Sequence, residues 1–288
     1  MSIIAAMAFS SEVKTILSPM PESRLSNLTI HYDSDDFFNQ LDPRVIDDIC
    51  FGYHTAWTSF NRWICLDPKD SYQLSEFPEG HAVLTASRDV FKALYHSPER
   101  FDVLPDWVHG YVNFRNSIYV QLFDGRNTPR ENDNSDTHEF IHTVIPAILG
   151  IRAEILSQLW PTWIQEAFTV GLSQRRKNSW IAGEAEISPE KIPTLASLKE
   201  KGIFAHDNRK PAVNVAYQYC ALLGETLGRE ANQRLGSETH YMGDLGGICR
   251  LTEIAYEGSS TIFDEVSRLG ISLDALEKQA RQEIGLLN

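Results

Sequence analysis

The spacing of apolar positions changes near residue 130, and the predicted elements change type with it. Before that point, Leu28-Thr29-Ile30-His31-Tyr32 reads as a short strand, and Asp42-Pro43 opens a helix running to about Trp63. Val45, Ile46, Ile49, Phe51, Tyr53, Trp57 and Phe60 recur along that helix at intervals suited to one face against a core. His81 to Thr85 is strand-like, and Ser87 to Tyr95 is a short helix. Gly110 to Leu122, dense in β-branched and aromatic residues, is a strand or a hairpin. Gly125 to Asp136 is polar and turn-rich, which predicts a mobile surface loop.

Beyond the loop, helical spacing dominates almost to the end. The predicted segments are Thr137–Gly150, Ile151–Leu159, Pro161–Leu172, Val213–Leu227, a stretch around Cys249–Tyr256, and the pair Thr261–Leu269 and Leu273–Ile284. Strands gathered in one half and helices in the other predict an α+β protein. The expected organisation is a lead-in over 1–27, an α/β subdomain over 28–130 and a helical subdomain over 131–288, with a cleft between the last two.

Composition narrows the classes of function. The 288 residues suffice for one large domain or two modest ones, and 42% hydrophobic residues can build a substantial core. With 39 acidic against 26 basic residues, the net charge of −13 argues against nucleic acid as a partner. The one basic cluster, Arg175-Arg176-Lys177, reads as a solvated segment. The apolar stretch Ile141–Ile151 is interrupted by His142, Thr143 and Pro146 and is too short to span a bilayer, so no membrane span is expected. The N-terminus carries no basic residue before Lys14 and makes a poor secretory signal. Cys50, Cys65, Cys220 and Cys249 are widely separated, which favours free thiols and a cytoplasmic location.

Candidate chemistry centres on His138-Glu139-Phe140-Ile141-His142, an HExxH sequence. Residues four apart on a helix share a face, so both imidazoles can reach one metal ion. Glu139, beside the first of them, can take a proton from a metal-bound water. Asp136 is placed to cap the helix and Gly150 to end it. Chance would produce the motif on the order of once or twice in a hundred such chains, so a third ligand has to be found. Catalytic zinc takes three protein ligands and leaves one position open. Glu166 supplies a candidate: it lies in an otherwise apolar helix opened by Pro161, where a carboxylate is costly unless it meets a cation.

HExxH followed by a helix carrying Trp163, Glu166 and Phe168 resembles the gluzincin zinc metallopeptidases, nearest to their peptidase MA-like and aminopeptidase N-like branches. Their second motif runs close to Trp-Leu-Asn-Glu-Gly-Phe-Ala, from which Gln165 and Ala167 depart conservatively. The resemblance implies a thermolysin-like fold, one catalytic zinc held by His138, His142 and Glu166, and Glu139 as general base. It extends to Tyr217, which stands where such peptidases place an oxyanion-stabilising phenol, with Cys220 where glycine is usual. Tyr219 flanks the same apolar stripe from the other side, and periodicity does not choose between the two. The helices after Phe263 resemble the closing helices of peptidase MA-like domains. Gly110, Tyr111, Val112 and Asn113 fall where the family has its substrate-lining edge strand, which would pair with an extended peptide; a plain structural strand is the alternative. Aminopeptidases carry a glutamate before that asparagine to hold the substrate's amine, and this chain has Val112. A peptide or protein substrate cleaved internally is therefore the expectation.

Two rivals stand beside it. One is a catalytically silent gluzincin-fold binding or scaffold protein; the other is a helical interaction protein in which HExxH is coincidental. The intact set of His138, Glu139, His142 and Glu166 argues against the first, since decay usually removes the base or a ligand.

Overall fold

A computed structural model of the chain describes residues 9–64, 79–95, 104, 108–113, 115–123, 135–173, 192–198, 211–236, 241 and 243–283. It is an α+β protein, with a five-stranded mixed sheet in the first half and a mostly helical second half. The described residues group into two compact units. One is drawn from Met1–Thr58 and Tyr72–Ile155, the other from Ser59–Ser71 and Leu156–Asn288.

The first unit is built on strands β1 (Glu22–Leu25), β2 (Leu28–Tyr32), β3 (Gly80–Thr85), β4 (Gly110–Asn113) and β5 (Ile118–Leu122), in the spatial order β1-β2-β3-β5-β4. β2, β3 and β5 run parallel, and β1 and β4 are antiparallel edges. The stretch from Gly110 to Leu122 is thus a hairpin, reversed with Ser117 at a φ of 51°. Every residue of β2 is buried, as expected for an inner strand covered on both faces.

Side-chain alternation assigns the faces. Val83, Tyr111, Ile118, Val120 and Leu122 join Phe91 and Leu94 of α4 (Arg88–Ala93 and its C-cap) in one core, closed by Val13 and Leu17 of α1 (Ser11–Leu17). α1, β1 and the short α2 (Asp35–Gln40) have no counterpart among the elements expected from the sequence. The opposite face carries Gly80 and Tyr119, against which sit α3 (Pro43–Trp63) and α5 (Ser135–Leu149). A Cβ on Gly80 would lie 2.4 Å from the Tyr53 ring of α3, so only glycine admits that ring over the sheet.

α6 (Ala153–Leu159) follows α5 after a bend of 96°. Gly150, at a φ of 63°, ends α5 as the sequence expects, because the left-handed conformation carries no Cβ penalty there. Pro146 lies inside α5, which nonetheless continues to Leu149.

The second unit contains α7 (Thr162–Ser173), α8 (Leu195–Leu198), α9 (Pro211–Leu235), α10 (Gly243–Glu257), α11 (Ile262–Arg268) and α12 (Leu273–Glu283). α9 packs against both α7 and α10 through small residues. A Cβ on Gly224 would stand 2.5 Å from that of Ala167, and one on Gly228 would stand 1.7 Å from the backbone oxygen of Asp244. The Trp160 indole stacks on Phe168 at 4.6 Å and donates to the Thr252 hydroxyl at 2.7 Å. Thr261 and Asp264 form a reciprocal capping box at the start of α11.

Cys50, Cys220 and Cys249 form no disulfide among the described residues, while Cys65 lies outside them. Among the described residues no single helix is long and apolar enough to cross a membrane. Residues 125–134 of the predicted loop lie outside the described residues. At its far end the helix starts at Ser135, two residues before the predicted start at Thr137. Asp136 therefore stands in the first turn of α5 and is not its cap; there a carboxyl group still complements the helix dipole.

Candidate metal centre

α5 carries the HExxH residues in its first two turns. Phe140 and Ile141 are almost fully buried and anchor one side of the helix. Phe140 meets the rings of Tyr53 and Tyr119 at 5.3 and 5.0 Å. At 100° per residue, His138 and His142 each lie about 160° around the axis from Phe140, so seating that ring turns both imidazoles to the opposite side. Their centroids are 5.2 Å apart with the ring planes at 81°. His142 is buried, and His138 and Glu139 are half-buried.

α7 presents Glu166 from a helix whose residues Trp163 through Leu172 are all buried. Glu166 itself is 1% exposed, a position where an ionised carboxylate needs strong compensation. The Thr169 hydroxyl lies 3.2 Å from Glu166 Oε2, 3.1 Å from the Glu166 backbone oxygen and 3.4 Å from that of Gln165, so its one proton is shared among them. Cys220, fully buried on α9, has its thiol pKa pushed well up, first by burial and then by the charge of Glu166. Thr169 follows Glu166 at helical spacing, and that i to i+3 relation was the available signal for it.

His138, His142 and Glu166 each offer one ligand atom, and these three atoms all lie within 4.8 Å of one another. Among the described residues they are the one group of His, Cys, Asp or Glu side chains that meets this condition. Two imidazoles and one carboxylate are the donor set of a His2Glu zinc site, so the residues present fit the metal that the sequence motif implies.

The remaining expected residues divide. On α9, Tyr219 is 1% exposed and has the Arg281 guanidinium of α12 5.6 Å from its ring centroid. Burial pushes its phenol up to about 12, with Arg281 pulling the other way. Tyr217 is half-buried and precedes Cys220 and Gly224 by three and seven residues, which sets it on the α9 face that meets α7. Gly110 to Asn113 form an edge strand, paired only with β5 among the described residues. Two of its side chains serve the unit's interior. The Tyr111 hydroxyl donates to the Phe91 backbone oxygen at 2.5 Å, and the Asn113 amide donates to that of Leu94 at 2.6 Å. Gly110 and Val112 occupy the other face of the strand.

Of the residues that could orient the ligands, Gln165 donates to the Trp160 backbone oxygen at 3.1 Å and Asp136 accepts from the Tyr119 hydroxyl at 2.6 Å, while Glu154 is exposed. Neither a protein-family model nor a curated protein nor a solved structure matches the chain. The functional reading therefore stands on the residues and their geometry.

Proposed function

We propose that the protein is a zinc-dependent metallopeptidase of thermolysin-like architecture that cleaves peptide bonds within a chain. The observation that carries this is the convergence of His138, His142 and Glu166 to within 4.8 Å, with Glu139 next to the first of them. A coincidental HExxH would give no reason for a carboxylate at 1% exposure to join the two imidazoles.

The three ligands would hold one zinc ion, which when bound supplies Lewis acidity and a water of lowered pKa. Glu139 takes the proton from the attacking water and returns it to the departing amide nitrogen, acting first as base and then as acid. Tyr217, on the α9 face that meets α7, donates its phenolic hydrogen to the developing oxyanion. Tyr219 is the weaker choice, because its ring lies against Arg281. The outer edge of β4, which pairs with no other strand among the described residues, accepts an extended peptide through backbone hydrogen bonds, with Gly110 to Asn113 as the added strand's neighbours. Internal cleavage is favoured over removal of N-terminal residues, since Val112 offers no charge to hold a free amine.

Incubating the zinc-loaded protein with a diverse peptide mixture, and mapping products by mass spectrometry, tests the function. Internal cuts abolished by a chelator support it. No cuts in the presence of stoichiometric zinc would instead favour the silent binding protein.

A further inference from the structure

The back of α5 is clamped at its first turn. Tyr119, 2% exposed and the second residue of β5, donates from its hydroxyl to Asp136 Oδ1 at 2.6 Å. The same ring meets Phe140 at 5.0 Å, one helical turn further on. From α3, Gly52 approaches so closely that a Cβ there would lie 2.9 Å from Asp136 Cβ and 3.0 Å from the Thr137 amide nitrogen. Gly110 leaves room beside the phenol, since its Cβ would stand 3.4 Å from the Tyr119 oxygen. Asp136 and Phe140 are four residues apart and share a face, so α5 is held on that face at two successive turns.

A helix held at one point can still roll about its axis. Held at two points along one side, it cannot roll without breaking a buried contact. The imidazoles stand about 160° away from that side, so a roll would swing them off any focus shared with Glu166. We infer that Tyr119 is a positioning residue: through its hydrogen bond to Asp136 it sets the roll of α5 and so the direction in which His138, Glu139 and His142 point. The inference rests on the metal site proposed above. It adds that the geometry of this site is governed from inside the sheet, by a phenol that acts through Asp136.

The test uses the full chain with Tyr119→Phe, Asp136→Asn and Asp136→Ala, read in two ways. The first is affinity for zinc alone, by competition with a chromophoric chelator, together with the visible spectrum of the cobalt form. The second is the ring resonances of His138 and His142 in the metal-free protein. Tyr119→Phe and Asp136→Ala should weaken zinc about 10-fold, the low end for outer partners of metal ligands, and change the cobalt spectrum. Both should also shift the two imidazole resonances. Asp136→Asn keeps an acceptor for the phenol and should retain zinc affinity, spectrum and resonances, which a general loss of packing would not predict. Should Tyr119→Phe fail to fold, the contrast between the two Asp136 variants carries the same test. Unchanged affinity and unchanged resonances in Tyr119→Phe and Asp136→Ala would overturn the inference. If the parent protein binds no zinc, the proposed function falls, and the metal-free resonances still decide whether Tyr119 sets the helix.

Discussion

The Thr169 hydroxyl lies 3.2 Å from Glu166 Oε2, one turn along α7 in a helix whose residues from Trp163 to Leu172 are all buried. One such shared hydrogen bond, worth about 1 kcal/mol net, is small against the cost of burying a carboxylate. In the proposed function, a divalent cation held jointly with His138 and His142 supplies further compensation. The predictions below follow from that assignment and from the packing that supports it.

In the proposed mechanism Glu139, next to His138, acts as the base and is not one of the three metal-holding residues. Glu139→Gln should retain zinc at the parent stoichiometry while peptide cleavage falls by about 10²- to 10⁴-fold. Zinc content and initial rates on the same preparation check this. Full turnover in the variant would remove the general base from the mechanism.

Tyr217 and Tyr219 should separate by the kind of loss they produce. Tyr217→Phe is expected to lower kcat about 10²-fold with little change in thermal midpoint, as for loss of an oxyanion donor. Tyr219, buried against Arg281, should show little change in kcat when replaced by phenylalanine. Steady-state kinetics and thermal melts of both variants decide it, and the reverse pattern would exchange their roles.

Gly224 lets α9 approach α7 beside the segment that carries Glu166. Gly224→Ala would place two Cβ atoms 2.5 Å apart, so the helices must separate. Overpacking of this kind costs about 1–3 kcal/mol, and the better helix propensity of alanine returns at most about 1 kcal/mol of it. Denaturant unfolding should show a net loss, and a variant as stable as the parent would contradict the close approach.

His31 and His81 face each other across β2 and β3, rings 5.8 Å apart and nearly parallel, with Phe9 edge-on to His81 at 4.7 Å. Burial lowers both pKa values, opposed by the charges of Glu22 and Glu79; the nearby Arg24 adds to the lowering at His81. A histidine whose folded pKa lies below its unfolded value binds fewer protons when folded. Stability is then full above about pH 6.5 and falls as pH drops toward the folded pKa. His31→Gln with His81→Gln should flatten the dependence of the melting temperature on pH between about 7 and 5. An unchanged slope would remove the pair from the pH response.

The sequence exposes some of this readily and hides the rest for physical reasons. His138 and His142 are legible because helical spacing is local, and Glu166 because a carboxylate in an apolar helix stands out. The hairpin through Ser117 and the helix stop at Gly150 are legible for the same reason. Asp136 has the residue type of a cap but lies in the first turn of α5, and its partner, Tyr119, is 17 residues away on a strand whose sheet position no local pattern reveals. The roles of Gly52 and Gly224 are equally hidden, since each depends on which helix crosses it. α1, β1 and α2 are short and carry weak periodicity, and their burial comes from the sheet they border.

The most direct test of the central claim is zinc K-edge X-ray absorption on the stoichiometrically loaded protein. The account predicts a first shell of nitrogen and oxygen at about 2.0–2.2 Å, with the outer-shell signature of two imidazoles, and loss of bound zinc in Glu166→Ala. A sulfur shell near about 2.3 Å, or zinc retained unchanged in that variant, would contradict it.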